Sequence, residues 1–218
     1  LRTAHLLGIV PEYEADKIKR PKHMEKPVEC FTLAEQKQIE QSVRQGHKLK
    51  MYGIILCLYS GLRIGELIAL QWDDIDFAKG VLSVSKSCHD GRGGLVIDEP
   101  KTPASRPEIP LPKQLLPVLK DVKKKSSSPF VVSANGRAVS VRSYQRSFEL
   151  LLKKLKIPHR CFHALRHTFA TRALECGMDV KTLSEILGHK NPTVTLNRYA
   201  HSLMEHKANM MNRLGKLL

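Results

Sequence analysis

From Leu49 to Ser60 almost every position is apolar, which predicts a helix buried on all sides. The run stops at Gly61, and Leu62 to Leu70 resumes a helical pattern. Upstream, Thr32 with Glu35 three residues later reads as a capping box opening another helix. Two strand-like runs follow, Gly80 to Lys86 and Leu95 to Asp98, separated by a glycine-rich turn from Asp90 to Gly94. Arg106 to Leu111 predicts a third strand and Phe130 to Ser133 a short one. Helices are expected near Gln114 to Lys125 and Ser140 to Lys156.

The last third is helical with clear punctuation. A helix beginning near Phe162 closes at Gly177, and Asp179 caps the next, which ends at Gly188. Asn191-Pro192 opens a further helix that carries Tyr199, with Asn as cap and Pro at the first helical position. An amphipathic segment, Leu203 to Leu214, follows. There is no internal repeat. The expected class is α+β, mainly α, with one small antiparallel sheet.

Composition narrows the partner. The 218 residues suffice for one main domain with a sizeable core, and they carry a formal charge of +15. Residues 151–218 alone hold twelve Lys/Arg against four Asp/Glu. Such an excess points to a polyanion, nucleic acid above all. The five cysteines are scattered, odd in number and without CxxC spacing, as in reduced cytoplasmic proteins. No apolar run reaches the roughly 18 residues needed to span a bilayer, so no membrane partner is expected. Leu1 to Val10 reads as a helix end and Pro11 to Pro27 as a Pro- and Lys-rich connector, ahead of a main domain over 28–218.

The candidate chemistry sits late in the chain. His163 and Arg166 share a helix face, with His167 one turn from His163; His189 and Tyr199 follow. A phosphodiester under attack gathers negative charge on its non-bridging oxygens, and fixed cationic donors stabilise that charge. Arginine suits this role because its planar guanidinium stays charged and binds two oxygens at once. A phenol is a weak nucleophile at neutral pH, so it needs a base or a cationic neighbourhood. A lone histidine is more often an ordinary surface or core residue, and His201 and His206 read that way. Zinc is a poor fit: His163 and His167 have ligand spacing and Cys161 and Cys176 lie near, but Ala164 stands where an HExxH glutamate belongs.

The ordered strings "HALRH" and "LGHKNPTVTLNRYAH" are more specific than any single spacing. They resemble the second conserved box of the tyrosine recombinase (phage integrase) family. "YSGLRIGELIALQWDDID" is similar to its first box and "KTPASRPEIPL" to its lysine-bearing hairpin, over about Phe31 to His201 in all. The resemblance implies a helical catalytic domain preceded, over 1–27, by the end of a core-binding domain and its linker. It implies catalytic roles for Arg63, Lys101, His163, Arg166, His189 and Tyr199, with Glu66 and His167 supporting them. Tyr199 would attack the phosphate, the two arginines clamp it, Lys101 protonate the leaving 5′-oxygen, His163 act as base and His189 donate to a phosphate oxygen. Lys86 also lies near the sheet. No metal or cofactor is implied. The implied partners are double-stranded DNA, a homotetramer assembled through 203–218, and accessory DNA-bending proteins. The hairpin looks more like that of a mobile-element integrase acting in the cytoplasm. A type IB topoisomerase-like or telomere-resolving enzyme shares the chemistry, and a non-catalytic DNA-binding regulator is the reading from another class.

Overall fold

The computed structural model describes residues 6–9, 29–98, 108–189, 191–193, 195, 199, 211–212 and 215. Lys101, His201, His206 and most of 1–27 and 203–218 lie outside them. Helix α1 (Leu33–Gln45) starts as its capping box predicts: the Thr32 hydroxyl accepts from Glu35 N–H at 3.2 Å, and a Glu35 carboxylate oxygen accepts from Thr32 N–H at 2.8 Å. A 3₁₀ turn (Leu49–Met51) leads into α2 (Tyr52–Ser60), apolar and buried nearly all round. After Gly61 comes the short α3 (Ile64–Ala69).

The sheet differs from expectation. Instead of one sheet, the described residues form three small antiparallel ones. The first joins β1 (Ile75–Asp76), β2 (Val81–Ser83) and β5 (Glu108–Pro110) in the order β1-β2-β5. The second is a separate hairpin of β3 (Ser87–Gly91) and β4 (Gly94–Asp98), and the third pairs β6 (Ser133–Ala134) with β7 (Arg137–Ala138). The expected strand from Gly80 therefore ends at Ser83, and a polar strand, Ser-Cys-His-Asp-Gly, occupies part of the predicted turn. Its pairing comes from packing, not from strand propensity. The β3 backbone crosses α3 at Gly65, where a Cβ would lie 2.5 Å from the Cys88 carbonyl oxygen, so only glycine allows the approach.

Helices α4 (Leu115–Lys125) and α5 (Val141–Lys154) bury one face each, Leu115, Leu119 and Val122 on the first and Tyr144, Phe148, Leu151 and Leu152 on the second. The hairpin is fastened to α5, because Asp90 accepts from Val141 and Arg142 N–H, both at 3.0 Å. Phe148 meets Phe31 and Phe162 edge-on, with centroids 6.1 and 5.2 Å apart. This aromatic group closes the core beneath α6 (Ala164–Glu175), which α7 (Val180–Ile186) follows. The Phe31 N–H donates to Thr168 at 2.9 Å and its carbonyl accepts from Arg172 at 3.1 Å, so the segment before α1 is tied to α6.

Candidate active site

Local sequence explains how each side chain is presented. Gly61 ends α2 in the left-handed region (φ 68°), which turns the chain into Arg63 at the start of α3. A Cβ at Gly61 would stand 2.5 Å from the Phe169 ring, so glycine serves both the backbone and the close approach of α6. Glu66 then secures Arg63 at two points: one carboxylate oxygen takes the Arg63 backbone N–H and the other its Nη1, each at 2.8 Å. The Arg63 side chain stays 44% exposed and its guanidinium reaches toward Gly188. That places it at the end of α7, beside His189.

Arg166 is the opposite case. It is 3% exposed, and both terminal nitrogens donate to protein acceptors. Nη1 donates to the Gly61 carbonyl at 2.7 Å, and Nη2 to the Leu187 carbonyl at 2.6 Å and to His189 Nε2 at 3.1 Å. Burial, with Arg63 adding repulsion, lowers its pKa to about 10, while Glu66 and Tyr199 act the other way; it remains charged at neutral pH. His189 is half-buried and its pKa is lowered to about 4, by burial first and then by Arg166, Arg63 and His163. Its Nδ1 lies 2.7 Å from the Thr195 hydroxyl.

Tyr199 is 3% exposed, and its hydroxyl lies 2.8 Å from Nδ1 of the buried His167. His163, exposed at the start of α6, sets its ring edge-on to His167 with centroids 4.5 Å apart. The structure thus brings Arg63, Glu66, His163, Arg166, His167, His189 and Tyr199 to one seam. His167, expected only in support, touches the phenol. Sequence reasoning passed over Thr195 and the carbonyls of Gly61 and Leu187. Thr195 had a signal, four residues before Tyr199; carbonyl acceptors have none. Among the described residues no group of His, Cys, Asp and Glu is arranged to hold a metal, and no helix is long and apolar enough to cross a membrane.

This arrangement offers a fixed positive charge, a half-buried imidazole and a phenol in contact with a second imidazole. Comparison with known proteins finds relatives over most of the chain. A XerC-like tyrosine recombinase from Caldanaerobacter subterraneus subsp. tengcongensis is 32% identical, over 89% of this chain and 56% of its own length. The transposase of Tn916 from Enterococcus faecalis is 30% identical over 75% of this chain and 45% of its own. The chain therefore spans about half the length of these curated relatives. Among solved structures, the Tn1549 transposon integrase in complex with transposon right end DNA superposes with a TM-score of 0.75 at 29% identity, covering 94% of this chain and 70% of that one. A lambda integrase tetramer bound to a Holliday junction shares the fold, with a TM-score of 0.64 at 22% identity over 88% of this chain and 55% of that one. Residues 31–206 match the phage integrase family, and the chain belongs to it.

Proposed function

We propose that this chain is the catalytic domain of a site-specific DNA recombinase, an integrase that moves a mobile element by cutting and rejoining DNA through a 3′-phosphotyrosine. The carrying observation is the Tyr199 hydroxyl, 2.8 Å from His167, at a seam that also holds the buried, charged Arg166. A DNA-binding regulator needs phosphate contacts but no such nucleophile. Residues 1–27 are read as the end of a preceding DNA-clamping domain and its linker, and 28–218 as the catalytic unit.

In this mechanism Arg63 and Arg166 hold the non-bridging oxygens of the scissile phosphate, one exposed and one fixed by carbonyls. The Tyr199 oxygen forms the bond to phosphorus as the bond to the 5′-oxygen breaks. The phenolic proton leaves on the histidine side, where His167 touches the hydroxyl and His163 stands edge-on to it. Lys101, outside the described residues, supplies the proton to the departing 5′-oxygen. His189 reaches a phosphate oxygen once DNA enters. The phosphotyrosine link conserves the energy of the broken bond, so rejoining needs no ATP. Exchange between two duplexes calls for four copies, with residues 203–218 of each docked on a neighbour and DNA-bending proteins shaping the complex. The Tn1549 integrase bound to transposon right end DNA supports DNA as the partner.

The test is a nicked suicide duplex. The parent protein is expected to give a covalent adduct mapping to Tyr199, and Tyr199→Phe to abolish it while salt-sensitive binding persists. A nucleotide stub on another side chain would sink the assignment. Relaxation of supercoils without strand exchange between two labelled duplexes would favour the topoisomerase-like alternative.

A further inference from the structure

Arg63 stands at the start of α3, a helix too short to hold a position by itself. Its six residues make under two turns, and isolated helices below roughly 12 residues are marginal in water. The far end of α3 is pinned by backbone bonds: the Leu70 carbonyl accepts the Val131 N–H at 3.0 Å, and the Trp72 N–H donates to the Pro129 carbonyl at 2.9 Å. The end that carries Arg63 is held differently. Leu67 and Ile68 are fully buried, and β3 lies across the helix at Gly65. A Cβ there would stand 2.5 Å from the Cys88 carbonyl oxygen and 2.7 Å from the Ser87 hydroxyl.

The strand pairs only with β4, apart from the sheet of β1, β2 and β5. Ser87 and His89 are exposed, and the His89 ring turns to Asp98 of the same hairpin at 3.0 Å. Cys88 is buried, but an apolar contact of that size has no direction. Among the described residues, Asp90 is the one hairpin side chain that hydrogen-bonds another element. Its two carboxylate oxygens accept the Val141 and Arg142 N–H groups, the first two amides of α5, each at 3.0 Å. Those amides have no acceptor within their own helix and favour a negative charge. Helix α5 does not need Asp90 to begin, since the Ser140 side chain already accepts the Ser143 N–H.

We propose that Asp90 is a positioning residue for strand transfer: by fastening β3 to α5 it straps α3 in place and so sets the Arg63 guanidinium for the scissile phosphate. The inference rests on the recombinase reading. Glu66 fixes Arg63 to its own helix, with bonds of 2.8 Å, and Asp90 fixes that helix in the domain. Without the carboxylate, water satisfies the two amides, the hairpin pivots on Cys88, and the Arg63 end of α3 drifts outward. A shift of about 1 Å in a reacting group can cost on the order of 100-fold in rate.

A double-mutant cycle on the suicide duplex tests this. Asp90→Ala should cleave about 10–100-fold more slowly than the parent, with near-parental DNA affinity. Arg63→Ala should be slower still, and adding Asp90→Ala to it should change the rate by less than about twofold, because the group that Asp90 positions is already gone. A general loss of structure would multiply the two effects instead. Asp90→Asn, which keeps one acceptor oxygen, should recover part of the rate. Ser140→Ala, which weakens the start of α5 without touching the strap, should leave it unchanged. Hydrogen exchange in the DNA-free chains needs no activity: the α3 amides should lose protection in Asp90→Ala while those of α2 keep theirs. If Asp90→Ala fails to fold, Gly65→Ala, which forces α3 and β3 apart, should show the same exchange pattern. Multiplying effects, a parental rate for Asp90→Ala, or unchanged α3 protection in the folded variant overturns the proposal. A parental protein that forms no adduct removes the recombinase reading and this proposal with it, whereas an active parent with multiplying effects removes the proposal alone.

Discussion

Two apolar clusters flank the seam, and they differ in size and in what they carry. Among the described residues the larger holds 34 buried ones, from Phe31 to Leu165, and Arg63 emerges from its rim between Leu62 and Leu67. Among the described residues the smaller holds six, Ala170, Ala173, Leu174, Leu183, Leu187 and Tyr199, the proposed nucleophile. Arg166 joins them by bonding Gly61 on one side and Leu187 on the other. A wide core backs one half of the proposed phosphate clamp. Among the described residues the tyrosine side is tied by polar bonds to Arg166, His167 and Thr195. Those bonds are directional, which suits a reaction sensitive to small displacements.

The same truncation in each cluster is the sharpest way to break this contrast. Leu67 and Leu183 are both fully buried. Leu67→Ala should cost about 4–5 kcal/mol of unfolding free energy and Leu183→Ala about 2–3, within the range for buried leucines. Cleavage measured well below either melting temperature should fall more for Leu183→Ala. Equal stability costs with equal activity would erase the distinction between the clusters.

Gly61→Ala probes the joint itself. The left-handed backbone costs about 1–2 kcal/mol for a residue with a Cβ. The new methyl also presses on Phe169 and Leu187, and overpacking typically costs about 1–3 kcal/mol. The expected result in denaturant melts is a loss of about 2–5 kcal/mol. Cleavage should drop as well, since the displaced carbonyl is an Arg166 acceptor. A neutral substitution would show that α6 does not need this close approach.

The smallest effect is a pH dependence. His189 titrates at about 4 in the folded chain against 6.5 for a free histidine. Its neutral form therefore stabilises the fold above pH 6.5. As pH falls below 6.5 the unfolded chain takes up the proton first, so stability declines until the folded form protonates near 4. Urea melts should show this decline, and His189→Gln should flatten that part of the curve. An unchanged slope would mean that His189 is not held neutral at the seam.

Much of the molecule was legible because its signals are local. Thr32 with Glu35, the stop at Gly61, the Asp179 cap and the shared helix face of His163 and Arg166 all involve residues within a turn or two of one another. The set of groups at the seam followed from the ordered motifs. The sheets were less legible, because β3 is too polar to announce a strand and owes its place to Gly65 and to the Asp90 cap on α5.

By itself, then, the sequence determined the helical frame, the positive charge and which side chains could perform phosphoryl chemistry. Tertiary structure alone decided that His167 meets the phenol, that Arg166 is buried on two carbonyls, and that Thr195 faces His189. The contacts made by His167 and Arg166 join residues 21 to 105 positions apart, and two of them use backbone oxygens that every residue possesses. A pattern of side chains can specify which helices pack together. The orientation of a ring or a guanidinium depends on acceptors that appear only once they have packed.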